Sequence, residues 1–281
     1  MNLPYKLYKG DCLEIMPTLE AGSVDAIITD LPYGTTACAW DEVIPFAEMW
    51  REVKRVLKSN GVFITTSAQP FTSFLIVSNP EFFKVEWIWR KNQANNFATM
   101  KYYPAKKHEN IVMFSKGSFT YNPQMEKTIS SEVVRRAKAT GRSSIVRAKG
   151  TTEHYSSLSR TEKHFTETIN PSSVLDFDGV PRATGTEHPT QKPVALYEYL
   201  INTYTNFGET VLDICMGSGT TIEAAIKTGR KSIGIERDPK YFSIAEKRIS
   251  QAAQQPALFH ATQQSVNPTR ADVAPKFDNF E

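Results

Sequence analysis

Apolar residues along this chain follow two rhythms. Ala26-Ile27-Ile28 within SVDAIITD, and Val62-Phe63-Ile64 within NGVFITTS, form short continuous runs bounded by polar residues. That is the pattern of strands buried on both faces. Between them, residues 43 to 57 place Phe46, Met49, Trp50, Val53, Val56 and Leu57 on one helical face, and Asn60-Gly61 stands where a left-handed cap is expected to end that helix. VEWIWRK and ENIVMFSKG predict two more strands, paired antiparallel at a sheet edge. From 118 to 185 the alternation dissolves into polar, Ser/Thr-rich sequence, which predicts an inserted region rather than core. Regular alternation resumes with a helix from Pro193, a strand ETVLDI, a helix near Thr221 closed by Gly229, a strand KSIGIE, and a helix opened by Asp238-Pro239. The polar stretch 253–281 is expected to be a flexible tail. Strands alternating with helices predict an α/β fold, doubly wound around a mostly parallel sheet.

Composition narrows the setting without deciding the chemistry. At 281 residues with 40% hydrophobic side chains, the chain is long enough for a large core carrying an inserted lobe. A formal charge of +3 is too mild to identify a polyanionic partner from the total alone. The three cysteines, Cys12, Cys38 and Cys215, are widely spaced, and the five histidines are scattered. No metal is expected from such spacing, and a reducing compartment is. MNLPYKLYKGDCLEIM lacks the layout of a secretory signal, and no apolar run approaches the roughly 20 residues that span a bilayer. A cytoplasmic location with no membrane partner is expected.

Candidate chemistry begins at VLDICMGSGTTIEAAIKTG, residues 211 to 229. Gly217-Ser218-Gly219-Thr220 falls between a strand and a helix, where a ligand can approach the backbone at the carboxyl end of a sheet. The third glycine of a dinucleotide fingerprint is missing, as is the Lys-Ser/Thr of a phosphate loop, so a ligand without phosphate is favoured. A tight turn explains the glycine pair equally well. Glu236 ends the next strand, where a carboxylate accepts hydrogen bonds from both hydroxyls of a ribose. Asp213 adds a second acid beside the loop. A nucleoside flanked by acids and lacking phosphate suits a cationic ligand, and S-adenosylmethionine carries both a sulfonium and an ammonium.

The second candidate is TDLPYGTT, residues 29 to 36. Asp30 closes its strand where open α/β sheets hold ligands, and from there a carboxylate accepts a hydrogen bond from an exocyclic amine. As that nitrogen takes up a methyl group it becomes positive, so a fixed negative partner stabilises the transition state more than the ground state. Leu31 needs to offer only its backbone carbonyl. Pro32 restricts the loop, Tyr33 offers a ring to a planar base, and Gly34 permits a close turn. Taken alone, the stretch also reads as an ordinary Pro-Tyr-Gly turn with a surface acid.

Asp30-Leu31-Pro32-Tyr33 resembles the D/N/S-P-P-Y signature of amino-methyltransferases, and DICMGSGTT resembles their cofactor loop, with Cys215-Met216 where Pro-Phe is usual. EHPTQKPVALYEYLI is similar to the motif preceding that loop, GIERDPKYFSIAEKRI to the ribose-binding segment, and KGDCLEIMPTLEAGSVDAIITDLPYG to the family's opening. These segments cover the core from about Tyr5 to Ser250. With the tetrapeptide first and the cofactor loop last, their order is similar to the permuted β group of DNA methyltransferases.

The resemblance implies a seven-stranded methyltransferase sheet with an antiparallel edge hairpin. It implies a catalytic half at 1–117, a target-recognition insertion at 118–185, and a cofactor half at 186–252. It implies that Asp30 and the Leu31 carbonyl hold the target amine while Tyr33 stacks on the base. Asp11, with Cys12 beside it, would contact the cofactor's adenine, although Asp11-x-x-Glu14 also reads as a capping box. Asp213 would meet the methionine ammonium, Lys192 and Thr190 would lie near the methionine carboxylate, Gly217 to Thr220 would shape the pocket, and Glu236 would hold the ribose. A base inside a duplex must be extruded to reach such a site. Arg135, Arg136, Lys138, Arg142, Arg147 and Lys149, with Lys101, Lys106 and Lys107, offer a phosphate-tracking surface, or else a solvated loop.

An initial Asp in the tetrapeptide is typical of adenine enzymes, which makes adenine-N6 methylation of double-stranded DNA the leading expectation. Cytosine-N4 methylation is the near alternative. A non-catalytic cofactor- or DNA-binding protein is the alternative of a different class, and a nicotinamide-linked oxidoreductase is disfavoured by the missing third glycine. The resemblance allows a homodimer and leaves a partner restriction nuclease undetermined. It requires Asp30 and Gly217 to share one cavity.

Overall fold

The structure, a computed structural model, describes residues 4–35, 41–94, 96–127, 168–179 and 191–254. The amino-terminal part runs β1 (Tyr5–Lys9), α1 (Cys12–Ile15), β2 (Val24–Asp30), α2 (Phe46–Val56), β3 (Leu57–Ser67), α3 (Phe71–Val77), β4 (Phe83–Arg90) and β5 (His108–Ser115). Three short strands follow: β6 (Glu126–Lys127), β7 (Thr168–Ile169) and β8 (Val174–Asp176). The chain then continues through α4 (Val194–Tyr204), β9 (Thr210–Asp213), α5 (Thr220–Lys227), β10 (Lys231–Glu236) and α6 (Pro239–Gln254).

Eight strands make the main sheet, in the order β1-β10-β9-β2-β3-β5-β4-β8. Neighbours from β1 through β3 are parallel, while β5 runs antiparallel to both β3 and β4. This is the expected α/β sheet with an antiparallel edge pair. It carries one strand more than the seven of the sequence reading, because β8 pairs in parallel with the outer side of β4. Only Leu175 of that strand is buried, a signal too short for periodicity to register in a polar stretch.

Chain contacts divide the protein into two units, Met1–Asn122 with Ser173–Glu281, and Pro123–Ser172. Within the smaller, β6 and β7 pair antiparallel, and the Ser172 N–H donates to Glu126 at 3.4 Å. The stretch 253–281 expected as a tail falls outside the described residues beyond Gln254.

The continuous apolar runs are explained by the two faces of the sheet. Ile27, Phe63 and Leu212 point into one cluster with Met49, Trp50, Val53 and Val56 of α2. Ile28, Ile64 and Val211 point into the other, with Leu196, Leu200 and Ile201 of α4 and Ala224 of α5. Burying each such large aliphatic side chain stabilises the fold by about 1.5–3 kcal/mol.

One local expectation is corrected. The helix of residues 46–56 stops at Val56, and Asn60-Gly61 lies inside β3 instead of capping the helix. Pairing of β2 with β3 jumps from Val24↔Leu57 to Ala26↔Val62, so the extra residues form an irregularity that absorbs Asn60-Gly61. At Gly61 a Cβ would come within 3.1 Å of the Asp25 and Lys58 carbonyl oxygens. Close backbone approach, not a left-handed turn, accounts for this glycine.

Candidate active site

The sheet brings its functional ends together. Asp30 is the last residue of β2 and pairs in register with Thr66 of β3, which in turn pairs with Ile111 of β5. The side-chain hydroxyls of Thr66 and Tyr33 both donate to Asp30 Oδ1, the latter at 2.9 Å, while Lys192 Nζ reaches Oδ2 at 2.5 Å. Lys192 Nζ also lies 3.7 Å from Glu109 Oε2, an oxygen with no hydrogen bond among the described residues, and Lys91 pairs with the other Glu109 oxygen. Carboxylates and ammoniums thus alternate along a line, Asp30, Lys192, Glu109, Lys91, whose two middle members are buried. Burial works against the charge of Lys192, yet Asp30 and Glu109 outweigh it and hold the ammonium above its ordinary range. Glu109 also suffers from burial, and Lys192 and Lys91 keep it below the usual carboxylate range.

The loop after Asp30 is clamped from behind by a residue that the sequence reading missed. One oxygen of the buried Asp41 carboxylate accepts from the backbone N–H groups of Tyr33 at 2.8 Å and Gly34 at 2.9 Å, and the other from Thr35 at 2.9 Å. Gly34, at φ 67°, makes the turn that aims these donors at one carboxylate. One face of the Tyr33 ring rests on Phe71, with centroids 5.1 Å apart and planes at 29°. Burial, followed by the negative charges of Asp30 and Glu109, pushes the Tyr33 hydroxyl well above its usual range, so it remains a donor to Asp30.

On the opposite side of the site, the backbone does the shaping. Gly217 and Gly219 adopt φ of 51° and 83°. At Gly219 a Cβ would meet Ile249 Cδ1 at 2.7 Å and Ala245 Cβ at 3.2 Å, so the missing side chain lets α6 pack against the loop. The Gly217 N–H donates to Glu236 Oε2 and the Asp238 N–H to Oε1, each at 2.8 Å. Burial still pushes Glu236 above its ordinary range despite these donors. Asp213 is more deeply buried; its Oδ1 accepts from the Thr29 hydroxyl at 2.7 Å and the Cys215 N–H at 3.0 Å. Burial drives it up to about 6 against the pull of these donors and of Thr221, with Asp30 adding repulsion. Asp11 caps α1 by accepting from the Leu13 N–H at 2.8 Å, the second N–H of the helix and not the Glu14 N–H that a capping box engages.

Both sides open on one solvent-open cleft with a cavity volume of about 130 Å³. Of the residues singled out from the sequence, Asp30, Leu31, Pro32, Asp11, Cys12, Lys192, Asp213, Gly217, Ser218, Thr220 and Glu236 line it. Tyr33 stands behind Asp30, and Gly219 faces α6 instead of the cavity. The sequence reading placed Lys192 beside a ligand carboxylate, whereas here its ammonium is engaged by two carboxylates of the chain. Thr190, Arg135, Arg136, Lys138, Arg142, Arg147 and Lys149 lie outside the described residues. Thr66, Asp41 and Glu109 were not singled out, nor was the buried Tyr197, which lines the cavity. An acid two residues before the apolar run Ile111 to Phe114 is the signal that marks Glu109 in the sequence. Among the described residues no cluster of His, Cys, Asp and Glu is arranged to hold a metal, and no helix is long and apolar enough to cross a membrane.

Comparison with known proteins adds an independent observation. A family model described as DNA methylase matches residues 24–247. The chain is 28% identical over 261 residues to the type II methyltransferase M.HpaI of Haemophilus parainfluenzae, covering 87% of this chain and 74% of that one. It is equally similar, 28% over 261 residues, to the DNA adenine methyltransferase YhdJ of Escherichia coli K12, covering 87% and 82%. Among solved structures, the M1.HpyAVI–SAM complex aligns with a TM-score of 0.55 at 25% identity, over 87% of this chain and 99% of that chain. The cytosine-N4-specific PvuII DNA methyltransferase aligns at 0.59 over 89% and 93%, but at 17% identity it speaks to the fold alone.

Proposed function

Because the chain belongs to the DNA methylase family, we propose that it transfers a methyl group from S-adenosylmethionine to the exocyclic N6 amine of an adenine extruded from double-stranded DNA. One observation supports this reading above the others. Asp30, fixed by three donors at the end of β2, lines the same cavity as the glycine loop and its two buried acids.

The cofactor is S-adenosylmethionine, and the cavity's donor set suits it. Asp213 is a buried carboxylate whose hydrogen-bond donors, Thr29, Cys215 N–H and Thr221, are all neutral, so a ligand ammonium supplies the charge that burial withholds. Glu236 is oriented by two backbone N–H groups and keeps lone pairs for the ribose hydroxyls. Asp11 and Cys12 border the region assigned to the adenine, and the absence of a phosphate-type loop matches a ligand without phosphate. When bound, the cofactor supplies an electrophilic methyl group.

The chain's own residues prepare the acceptor. Asp30 and the Leu31 carbonyl take hydrogen bonds from the amine, which draws its lone pair out of conjugation and stabilises positive charge on nitrogen as it is methylated. Thr66, Tyr33 and Lys192 hold the Asp30 carboxylate in place, so little reorganisation is needed during the reaction. The Tyr33 ring is held by Phe71 on one face, and the Lys192 ammonium lies 5.9 Å from its centroid, so the ring meets a base only at the edge of the cavity beside Asp30. The basic run from Arg135 to Lys149 is assigned to phosphates by its charge alone.

Adenine is preferred over cytosine because the tetrapeptide begins with Asp and because a relative named for adenine methylation matches most of the chain. Modification-sensitive sequencing of DNA from cells expressing the parent or Asp30→Ala protein tests this, with mass analysis of the nucleosides. N6-methyladenine at one sequence context, present with the parent and absent with the variant, is the expected result. N4-methylcytosine redirects the assignment, and equal modification by both proteins removes Asp30 from catalysis.

A further inference from the structure

The loop joining β4 to β5 carries the densest group of exposed large apolar side chains among the described residues. Phe97 is 68% exposed, Met100 42%, Tyr102 72% and Tyr103 65%. Side chains of this size turned to water in one short segment mark a surface meant for a partner. The segment from Lys91 to Lys107 contains four lysines and no acid, and Lys101 lies 4.8 Å over the ring of Tyr102. Aromatic rings interleaved with cations suit a ligand that presents both phosphates and stackable bases.

The loop is built rather than loose. The Asn96 side chain donates to the Pro104 carbonyl at 3.0 Å and accepts from the Lys106 N–H at 2.8 Å, tying the two limbs together around a short 3-10 turn at Phe97–Thr99. The Lys91 N–H donates to the Lys107 carbonyl at 2.7 Å and closes the base. Register fixes where the loop emerges. Asp30 pairs with Thr66, Ser67 pairs with Asn110, and Glu109 and His108 continue toward the loop at the carboxyl end of β2 and β3. Lys91 at the loop's foot pairs with Glu109, which faces Lys192, which holds Asp30.

We propose that this loop is the chain's duplex-opening element: its exposed rings enter the base stack at the extruded nucleotide and replace the lost stacking, while Lys101, Lys106 and Lys107 grip the flanking phosphates. The inference rests on the proposed function and adds to it the surface that engages DNA beside the catalytic carboxylate. Extrusion costs unstacking and unpairing, and a ring that fills the gap offsets it. The loop's position explains why its rings are left outside the core.

Single-turnover methyl transfer tests this on a duplex oligonucleotide carrying the site that sequencing assigns to the parent, either fully paired or with the target base mispaired. The proteins are the parent, Tyr102→Ala/Tyr103→Ala, Lys106→Ala/Lys107→Ala and Asp30→Ala. The aromatic variant is expected to be slower on the paired duplex by at least roughly tenfold, the equivalent of about 1.4 kcal/mol, and to regain most of that on the mispaired duplex, which is already open. Its cofactor affinity and thermal melting stay at parental values, because both tyrosines are exposed. The lysine variant is expected to bind DNA with a salt slope shallower by about 0.9 for each phosphate it no longer neutralises, with no preference for the mispaired duplex. Parental rates from the aromatic variant, or an equal loss on both duplexes, overturn the proposal. So does a shift from dimer to monomer in sedimentation with transfer unchanged, which makes the patch an interface between copies. Inactivity of the parent on all DNA overturns the proposed function as well, whereas an active parent and inactive Asp30→Ala with no aromatic effect overturns this inference alone.

Discussion

The two halves of the cavity are built by different means. On the β9–β10 side the work falls to backbone: two glycines with positive φ, and a Glu236 carboxylate held by main-chain N–H groups from Gly217 and Asp238. On the β2 side it falls to side chains from distant parts of the chain, with Thr66, Tyr33 and Lys192 converging on Asp30, Glu109 backing Lys192, and Asp41 gripping the loop behind. A backbone-built pocket is specified by a short contiguous stretch. A side-chain network exists only once the sheet has formed, so each half fails differently when a part is removed.

The largest effect is expected from Asp30→Ala. Removing a preorganised partner for developing charge costs roughly 10²–10³-fold in turnover, and it leaves Lys192 facing a carboxylate that is gone. Cofactor affinity, set by the other half, should change little, and single-turnover kinetics beside equilibrium cofactor binding separate the two. A matching fall in cofactor affinity shows the halves to be coupled and breaks the comparison.

Asp41→Ala probes the same half without touching the cavity. Three N–H groups lose their acceptor, and a buried donor left unpaired costs about 1–3 kcal/mol. Water can reach part of this loop, so a slowing of roughly 10- to 100-fold in turnover is expected from about 1.4 kcal/mol per decade. Melting temperature should fall by a few degrees for the same reason, at about 2–4 °C per kcal/mol. Asp41→Asn keeps one acceptor oxygen and should fall between parent and Ala; an Asn variant as slow as Ala assigns the effect to charge instead of hydrogen bonding.

Gly219→Ala tests the backbone-built half. Its Cβ would collide with Ile249 and Ala245 while the residue is held at φ 83°, for about 1–3 kcal/mol of overpacking and strain. Denaturant unfolding should show that loss together with weaker cofactor binding. Turnover at saturating cofactor should survive better than in Asp41→Ala. If it does not, the division between the halves is wrong.

This contrast also explains what was legible beforehand. Glycine loop, strand-end acids and apolar runs are local patterns, so Asp213, Gly217, Glu236 and Asp30 could be singled out from short windows. Asp41 could not, because its purpose depends on a turn at Gly34 that folds the chain back on itself. Glu109 acts through Lys192, which lies far along the chain in the loop before α4. Asn60-Gly61 misled for the opposite reason: a dipeptide that ends helices was absorbed into a strand irregularity by pairing with β2. The short strand Val174–Asp176 owes its place to β4 alone, with one buried residue of its own to announce it.

The smallest expected effect lies in the pH dependence of the cofactor side, and it concerns Asp213. Burial raises this carboxyl from 3.8 to about 6. The folded chain therefore binds more protons than the unfolded chain between those values, and stability contributed by this group falls as pH rises from about 4 to 6, with the full penalty present above 6. Glu236 is shifted in the same sense. A bound ammonium reverses the balance by favouring the ionised form, so cofactor binding must release the proton at low pH. Affinity should accordingly weaken as pH drops below about 6, by at most roughly tenfold per pH unit, and hold steady above. In Asp213→Asn the same titration should lose this component and show weaker binding throughout. A parental affinity that strengthens toward pH 5 excludes Asp213 as the ammonium's partner and moves the cation to the other acids of the cavity.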